Sequence, residues 1–187
     1  MHAYSLYKDS PNFNLDQTST LTAISALQDF INTYPESAFR EESTQLILEL
    51  RDKLEKKAYE KAKLYYQTSE ANIANFRSAV VTINNYQKDF PDSKYNEELS
   101  YLRVDAQYNL AKLSFADKQK ERYQDVSKYY LAFIDKYPNS KYLRQAERYY
   151  DNTQKELTTI LDAEKASKET KPSNTGKLST PSSSGQN

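Results

Sequence analysis

The chain has 187 residues, no net charge at neutral pH, 37% apolar residues and 28% charged ones. The even charge balance excludes a global field that would draw nucleic acid or an anionic membrane surface. The absence of cysteine excludes disulfides, thiolate metal sites and cysteine nucleophiles, and no apolar run reaches the ~18 residues of a membrane helix.

Glycine decides the fold class. The chain has two, Gly176 and Gly185. A body without glycine lacks phosphate-cradling loops, nucleophile elbows and tight hairpin turns. It is expected to be all-α and not an enzyme, with no cofactor. Its polarity is high for a compact globule and normal for a thin helical array, in which much of each helix stays wet.

Met1 to Lys8 carry Tyr4 and Tyr7 and read as the end of a helix. His2, the one histidine, has no positioned partners and is expected to be inert. Ser10-Pro11-Asn12-Phe13-Asn14 is a loop by its turn residues. Asp16 or Thr18 is placed to cap the next helix. That helix runs to about Thr33, with Ala23, Leu27, Phe30 and Tyr34 as its apolar stripe. Tyr34-Pro35 ends it, because proline disfavours the helical conformation in the residue before it.

Glu36-Ser37 opens a long helix. Neither glycine nor proline interrupts the chain to Thr68, so ~30 residues are available. Ile47, Leu50, Leu54, Ala58, Ala62 and Tyr65 keep one stripe. Glu49–Lys53 and Asp52–Lys56 have the spacing of helix-surface ion pairs. Ser69 to Asn75 connect to a partner helix over 76–89, with Ala79, Ile83 and Tyr86 inward.

Pro91 restarts the cycle. Leu99, Leu102, Ala106, Leu110 and Leu113 form the stripe of a second long helix, and Ala116 to Arg122 a charged connection. Val126, Tyr130, Phe133 and Tyr137 line the next helix, to Pro138. A last helix over 140–164 places Leu143, Ala146, Tyr150, Leu157 and Leu161 on its apolar side. The repeat domain is thus expected over 1–164. Residues 165–187, rich in Ser, Thr, Pro and Lys, have little to bury and read as a disordered tail.

One motif recurs: an aromatic residue, then four residues on Tyr/Phe-Pro-x-Ser-x-aromatic. Its markers are Pro35, Pro91 and Pro138 with Ser37, Ser93 and Ser140. Five residues before the prolines stand Phe30, Tyr86 and Phe133; eight before, Leu27, Ile83 and Tyr130; twelve before, Ala23, Ala79 and Val126. A small residue followed by large ones ahead of proline is the pattern of a tetratricopeptide second helix. The intervals from Pro35 to Pro91 and from Pro91 to Pro138 exceed the usual ~34 residues. The surplus is expected to lengthen the first helices, giving a solenoid whose concave face binds proteins or extended peptides.

Three stretches carry a closer resemblance: Ser10-Pro11 with Leu15-Asp16-Gln17; Ala23-Ile24 with Leu27-Gln28, Phe30-Ile31 and Tyr34-Pro35; and Leu50-Arg51-Asp52-Lys53-Leu54-Glu55 leading to Tyr59, Ala62 and Tyr65-Tyr66. Together with Phe90-Pro91-Asp92-Ser93, they resemble the BamD (YfiO/ComL) family of outer-membrane protein assembly lipoproteins. The loop suggests its Bacteroidetes branch. The resemblance covers residues 4–160. It implies a docking subunit on the periplasmic face of the outer membrane. Its expected partners are the periplasmic domains of the barrel-forming subunit, other proteins of the complex and unfolded outer-membrane protein clients. Membrane contact is expected only through a lipid anchor. The family's lipidated cysteine and first repeats, which read client signals, have no counterpart in this sequence, which reads as partial and as the later repeats. Another periplasmic tetratricopeptide adaptor, or a cytosolic peptide-binding one, remains open on the repeat motif alone.

Candidate contact residues follow from expected exposure. Tyr59, Tyr66, Tyr108 and Tyr129 fall off the apolar stripes, and tyrosine is enriched at interfaces. Tyr65, Tyr130 and Tyr137 lie on the stripes and read as core. The cluster Arg51, Lys53, Lys56, Lys57, Lys61, Lys63 is interleaved with acids and reads as a solvated face. Arg51, Tyr59, Lys63, Tyr66 and Tyr108 are the expected partner-binding residues. No metal or catalytic residue is expected.

Overall fold

Three identical turns set the architecture. In each, the aromatic residue before proline closes a helix in an extended twist that donates its N–H four residues back. Tyr34 has φ −126° and ψ 64° and donates to Phe30 O at 2.9 Å. Phe90 has φ −131° and ψ 67°, and Tyr137 φ −133° and ψ 61°; both bond the matching carbonyl at 2.8 Å. The serine then reaches back to that aromatic carbonyl, at 3.1, 3.2 and 3.1 Å. Its hydroxyl accepts the N–H two residues on, from Phe39 at 3.3 Å, Tyr95 at 3.0 Å and Tyr142 at 3.2 Å. Proline donates no N–H, so the turn needs none there, and the serine oxygen replaces the bond that a continuing helix would have made.

The computed structural model describes residues 2–69 and 71–169. They form α1 (His2–Lys8), α2 (Thr18–Thr33), α3 (Arg40–Gln67), α4 (Ala74–Asp89), α5 (Asn96–Lys112), α6 (Ala116–Lys136) and α7 (Leu143–Glu169), with no strand among them. The chain is all-α and has the layout of a helical repeat. Each helix packs on its chain neighbours, and beyond them α3 touches α5 and α5 touches α7. The core is accordingly a string of clusters. One joins Ala23 and Leu27 to Ile47 and Leu50; one joins Tyr59 and Ala62 to Ile83, Tyr86 and Leu99; one joins Val104 and Ala111 to Val126, Phe133 and Ala146.

The proline register predicts burial closely. Ala23, Ala79 and Val126 are fully buried, and so is Ile83; Leu27 is 2% and Tyr130 8% exposed. Small residues there let adjacent helices approach, while the larger ones fill the seam at roughly 1.5–3 kcal/mol each. The long helix exists as expected, although it begins at Arg40 because Glu36 to Phe39 are spent in the turn.

Four expectations are corrected. Ala116 to Arg122 is the first part of α6, not a connection. Gln107 Nε2 donates to Arg122 O at 3.1 Å and Lys120 pairs with Glu164 at 2.6 Å, so contacts with α5 and α7 hold that polar stretch helical. Surplus residues of the second cycle therefore extend α6, while α5 stays short. Neither capping candidate makes a side-chain cap: Gln17 is the N-cap residue, and Asp16 accepts the Thr18 N–H at 2.9 Å from outside the helix. Tyr34, Leu113 and Leu161 are exposed, each lying where no neighbouring helix covers its stripe. Finally, α7 runs through Lys165 to Glu169, past the expected boundary at 164. The expected disorder of 170–187 lies outside the described residues.

Candidate docking surface

The helices are joined by polar links that consume most of the tyrosines. Ser93 Oγ donates to Glu55 Oε1 at 2.6 Å, linking the second turn to α3. Two residues on, Tyr95 stacks on Tyr59 with centroids 4.1 Å apart and planes 17° apart. The third turn repeats this on α5. Ser140 Oγ donates to Glu97 Oε1 at 2.6 Å, and Tyr142 stacks on Tyr101 at 4.7 Å and 4°. Each glutamate precedes its tyrosine by four residues, which sets both on one helix face. Tyr59 also donates to Glu98 at 2.8 Å, and Lys63 Nζ bonds the Tyr59 hydroxyl at 2.9 Å and Glu98 at 3.2 Å. The bonds to Tyr59 and then Glu98 raise the Lys63 pKa, and burial raises that of Tyr59.

A second link lies deeper. Asp105 on α5 is 5% exposed. It accepts Tyr66 at 2.6 Å and Asn109 Nδ2 at 2.5 Å, and hydrogen-bonds Tyr149 and Tyr101. Burial raises its pKa and these donors oppose the rise. A carboxylate ringed by hydroxyls is a satisfied structural acceptor that ties α3, α5 and α7 together.

The amino-terminal loop is clamped by α3. Lys53 Nζ bonds Ser10 Oγ at 3.1 Å and Ser10 O at 3.4 Å; Lys57 Nζ bonds Leu15 O at 2.6 Å; Lys56 lies 4.3 Å above the Phe13 ring. Gln17, 6% exposed, closes the loop by donating to Asn12 O and Leu15 O. The Ser-Pro…Leu-Asp-Gln loop and the Leu-Arg-Asp-Lys-Leu helix are thus one structural unit. Residues 1–77 match the family model described as YfiO, outer membrane lipoprotein. This YfiO-type segment holds both halves of the clamp and the first proline turn. No curated protein matches the chain. No helix among the described residues is long and apolar enough to cross a membrane.

Of the five expected contact residues, only Arg51 is exposed, on the YfiO-type segment. Tyr59 is 6% exposed and belongs to the core. Lys63 is half-buried in its link to Glu98, Tyr66 is held on Asp105, and Tyr108 packs against Tyr123 and Tyr149 at 6.2 and 5.0 Å. Exposure was the ground for choosing these four, and it fails because second helices cover the off-stripe face of the first. Tyr129, likewise off-stripe, is half-buried beneath Arg103, 4.4 Å from its ring. The basic cluster is also not simply solvated: Lys53, Lys56 and Lys57 hold the loop. Glu49–Lys53 and Asp52–Lys56 do not pair, since Lys53 and Lys56 are engaged there and Glu49 accepts Tyr7 at 2.6 Å. Sequence reasoning missed Phe39, 64% exposed beside Pro35, and Phe115, 87% exposed between α5 and α6. Comparing the third position after each repeat serine pair would have singled out Phe39 as a phenylalanine among tyrosines.

Proposed function

We propose that the chain is a non-enzymatic docking subunit of the machinery that assembles β-barrel proteins in the outer membrane, of the BamD type and the Bacteroidetes branch. It represents the later repeats of a tetratricopeptide solenoid at the periplasmic face. A lipid anchor, rather than a spanning helix, attaches such a lipoprotein to the membrane. The barrel-forming subunit's periplasmic domains are its partner, alongside other complex members and unfolded barrel clients. The observation that carries this reading is the lysine clamp, whose two halves hold the motifs of the resemblance and lie inside the YfiO-type segment. Rigid stacked helices present fixed side chains, which suits docking and lowers its entropic cost.

Arg51, on the outer face of the clamped helix, is the proposed contact; Tyr59, Lys63, Tyr66 and Tyr108 shape the surface from beneath. A pull-down with the purified periplasmic domains of the barrel-forming subunit tests the reading. Retention is expected, with Arg51→Glu weakening it. No retention of the folded wild-type chain sinks the assignment.

A further inference from the structure

The three proline turns share their internal bonds but differ in what they meet. Ser93 and Ser140 each donate to a glutamate on the helix two places back, and the ring two residues on stacks on that helix. Ser37 and Phe39 occupy the same positions of the first turn, with the same backbone bonds. Ser37 meets no carboxylate among the described residues, and Phe39 is 64% exposed.

The missing surface has a definite place. The second turn, between α4 and α5, docks on α3, and the third, between α6 and α7, docks on α5. By the same step the first turn faces α1. In α3 the stacked tyrosine lies eight residues before the helix end, and in α5 eleven, from Tyr101 to Lys112. That register falls at the amino end of α1, which stops at Lys8. A cavity of about 400 Å³ opens there, lined by Ala3, Tyr4, Leu27, Phe30 and Phe39 among others.

We propose that the Pro35 turn is an open docking site for a partner helix carrying a glutamate and, four residues later, tyrosine or phenylalanine. The glutamate accepts the Ser37 hydroxyl, the ring stacks on Phe39, and the helix closes the cavity against the amino end of α1. The occupant is not a second copy. Glutamate followed at that spacing by an aromatic residue occurs in this chain only at Glu55/Tyr59 and Glu97/Tyr101, and both pairs are already docked. The inference rests on internal repetition and stands apart from the proposed role in barrel assembly.

The test is fluorescence anisotropy of a helix-stabilised peptide with one central Glu-x-x-x-Tyr, titrated with the full chain. Saturable binding is expected, with about tenfold or greater weakening for the Gln-x-x-x-Ala peptide. Phe39→Ala should weaken binding similarly while the Tm holds, and Ser37→Ala should weaken it in a separate variant. Absence of saturable binding, equal binding of the two peptides, or indifference to both substitutions would overturn the proposal. So would a chain dimer that Phe39→Ala dissolves, because a second copy would then own the site. Loss of the barrel-subunit pull-down with peptide binding intact leaves this inference standing.

Discussion

Tyr66 on α3 donates to the buried Asp105 carboxylate on α5 at 2.6 Å. Removing that hydroxyl leaves a desolvated anion with one donor fewer. Tyr66→Phe is expected to cost about 1–3 kcal/mol in urea unfolding near neutral pH. A loss within error would mean that water or the remaining donors replace the bond freely.

Asp105 also gives an acid-side prediction of unusual sign. Burial raises its folded pKa above the ordinary aspartate value of 3.8. The folded state therefore holds this proton more tightly, and stability from it grows as pH falls through that raised pKa toward 3.8. Tyr66→Phe removes a donor to the anion and should enlarge the effect. Unfolding free energies of Asp105→Asn and wild type, compared between neutral and mildly acidic pH, check this; the variant should lose that pH-linked gain.

The tyrosines act at the other end of the scale. Burial is the first cause of raised pKa values at Tyr66, Tyr86 and Tyr149, and pushes Tyr123 up to about 12. Their stabilising contribution is complete below the unfolded value of 10 and is lost as pH rises from there toward the folded values. The Tm should hold to about pH 10 and then fall, with part of the phenolate absorbance appearing only on unfolding. A single ordinary titration of all 17 tyrosines in the folded chain would contradict this.

The repeat serines should not be equivalent. Ser37→Ala loses only the turn bond to the Phe39 N–H. Ser93→Ala loses the matching bond and also removes a donor from Glu55 and a partner from the Tyr86 hydroxyl, 2.6 Å away. It should exceed Ser37→Ala by about 1 kcal/mol or more in thermal unfolding. Equal losses would show that the glutamate link contributes nothing.

Burial separates two residues that sequence had grouped. Tyr59→Ala should destabilise the chain by about 3–5 kcal/mol, as for a large aromatic in a core. Arg51→Ala should stay within ~0.5 kcal/mol, since surface changes away from such packing are small. Circular dichroism melts of the two variants decide it.

The sequence by itself determined the helices and their punctuation. Proline cannot continue a helix, and small-then-large spacing before it can face a neighbour in only one way, so Ala23, Ala79 and Val126 were legible as buried from their distance to proline. It also carried the loop and helix motifs that the family comparison matches over residues 1–77. Tertiary structure alone decided what the polar positions do. Ala116 to Arg122 looks like a connection until α5 and α7 supply partners for its side chains. Lys53, Lys56 and Lys57 look solvated until the loop folds onto them. Tyr59 and Tyr66 leave the apolar stripe, yet Tyr95 and Asp105, brought in from α5 and its turn, bury them. Periodicity reports which face a residue occupies along its own helix; a solenoid covers two faces of most helices, and the second is set by residues far along the chain. At Phe39 the same rule leaves a face uncovered, which only comparison of the three folded turns reveals.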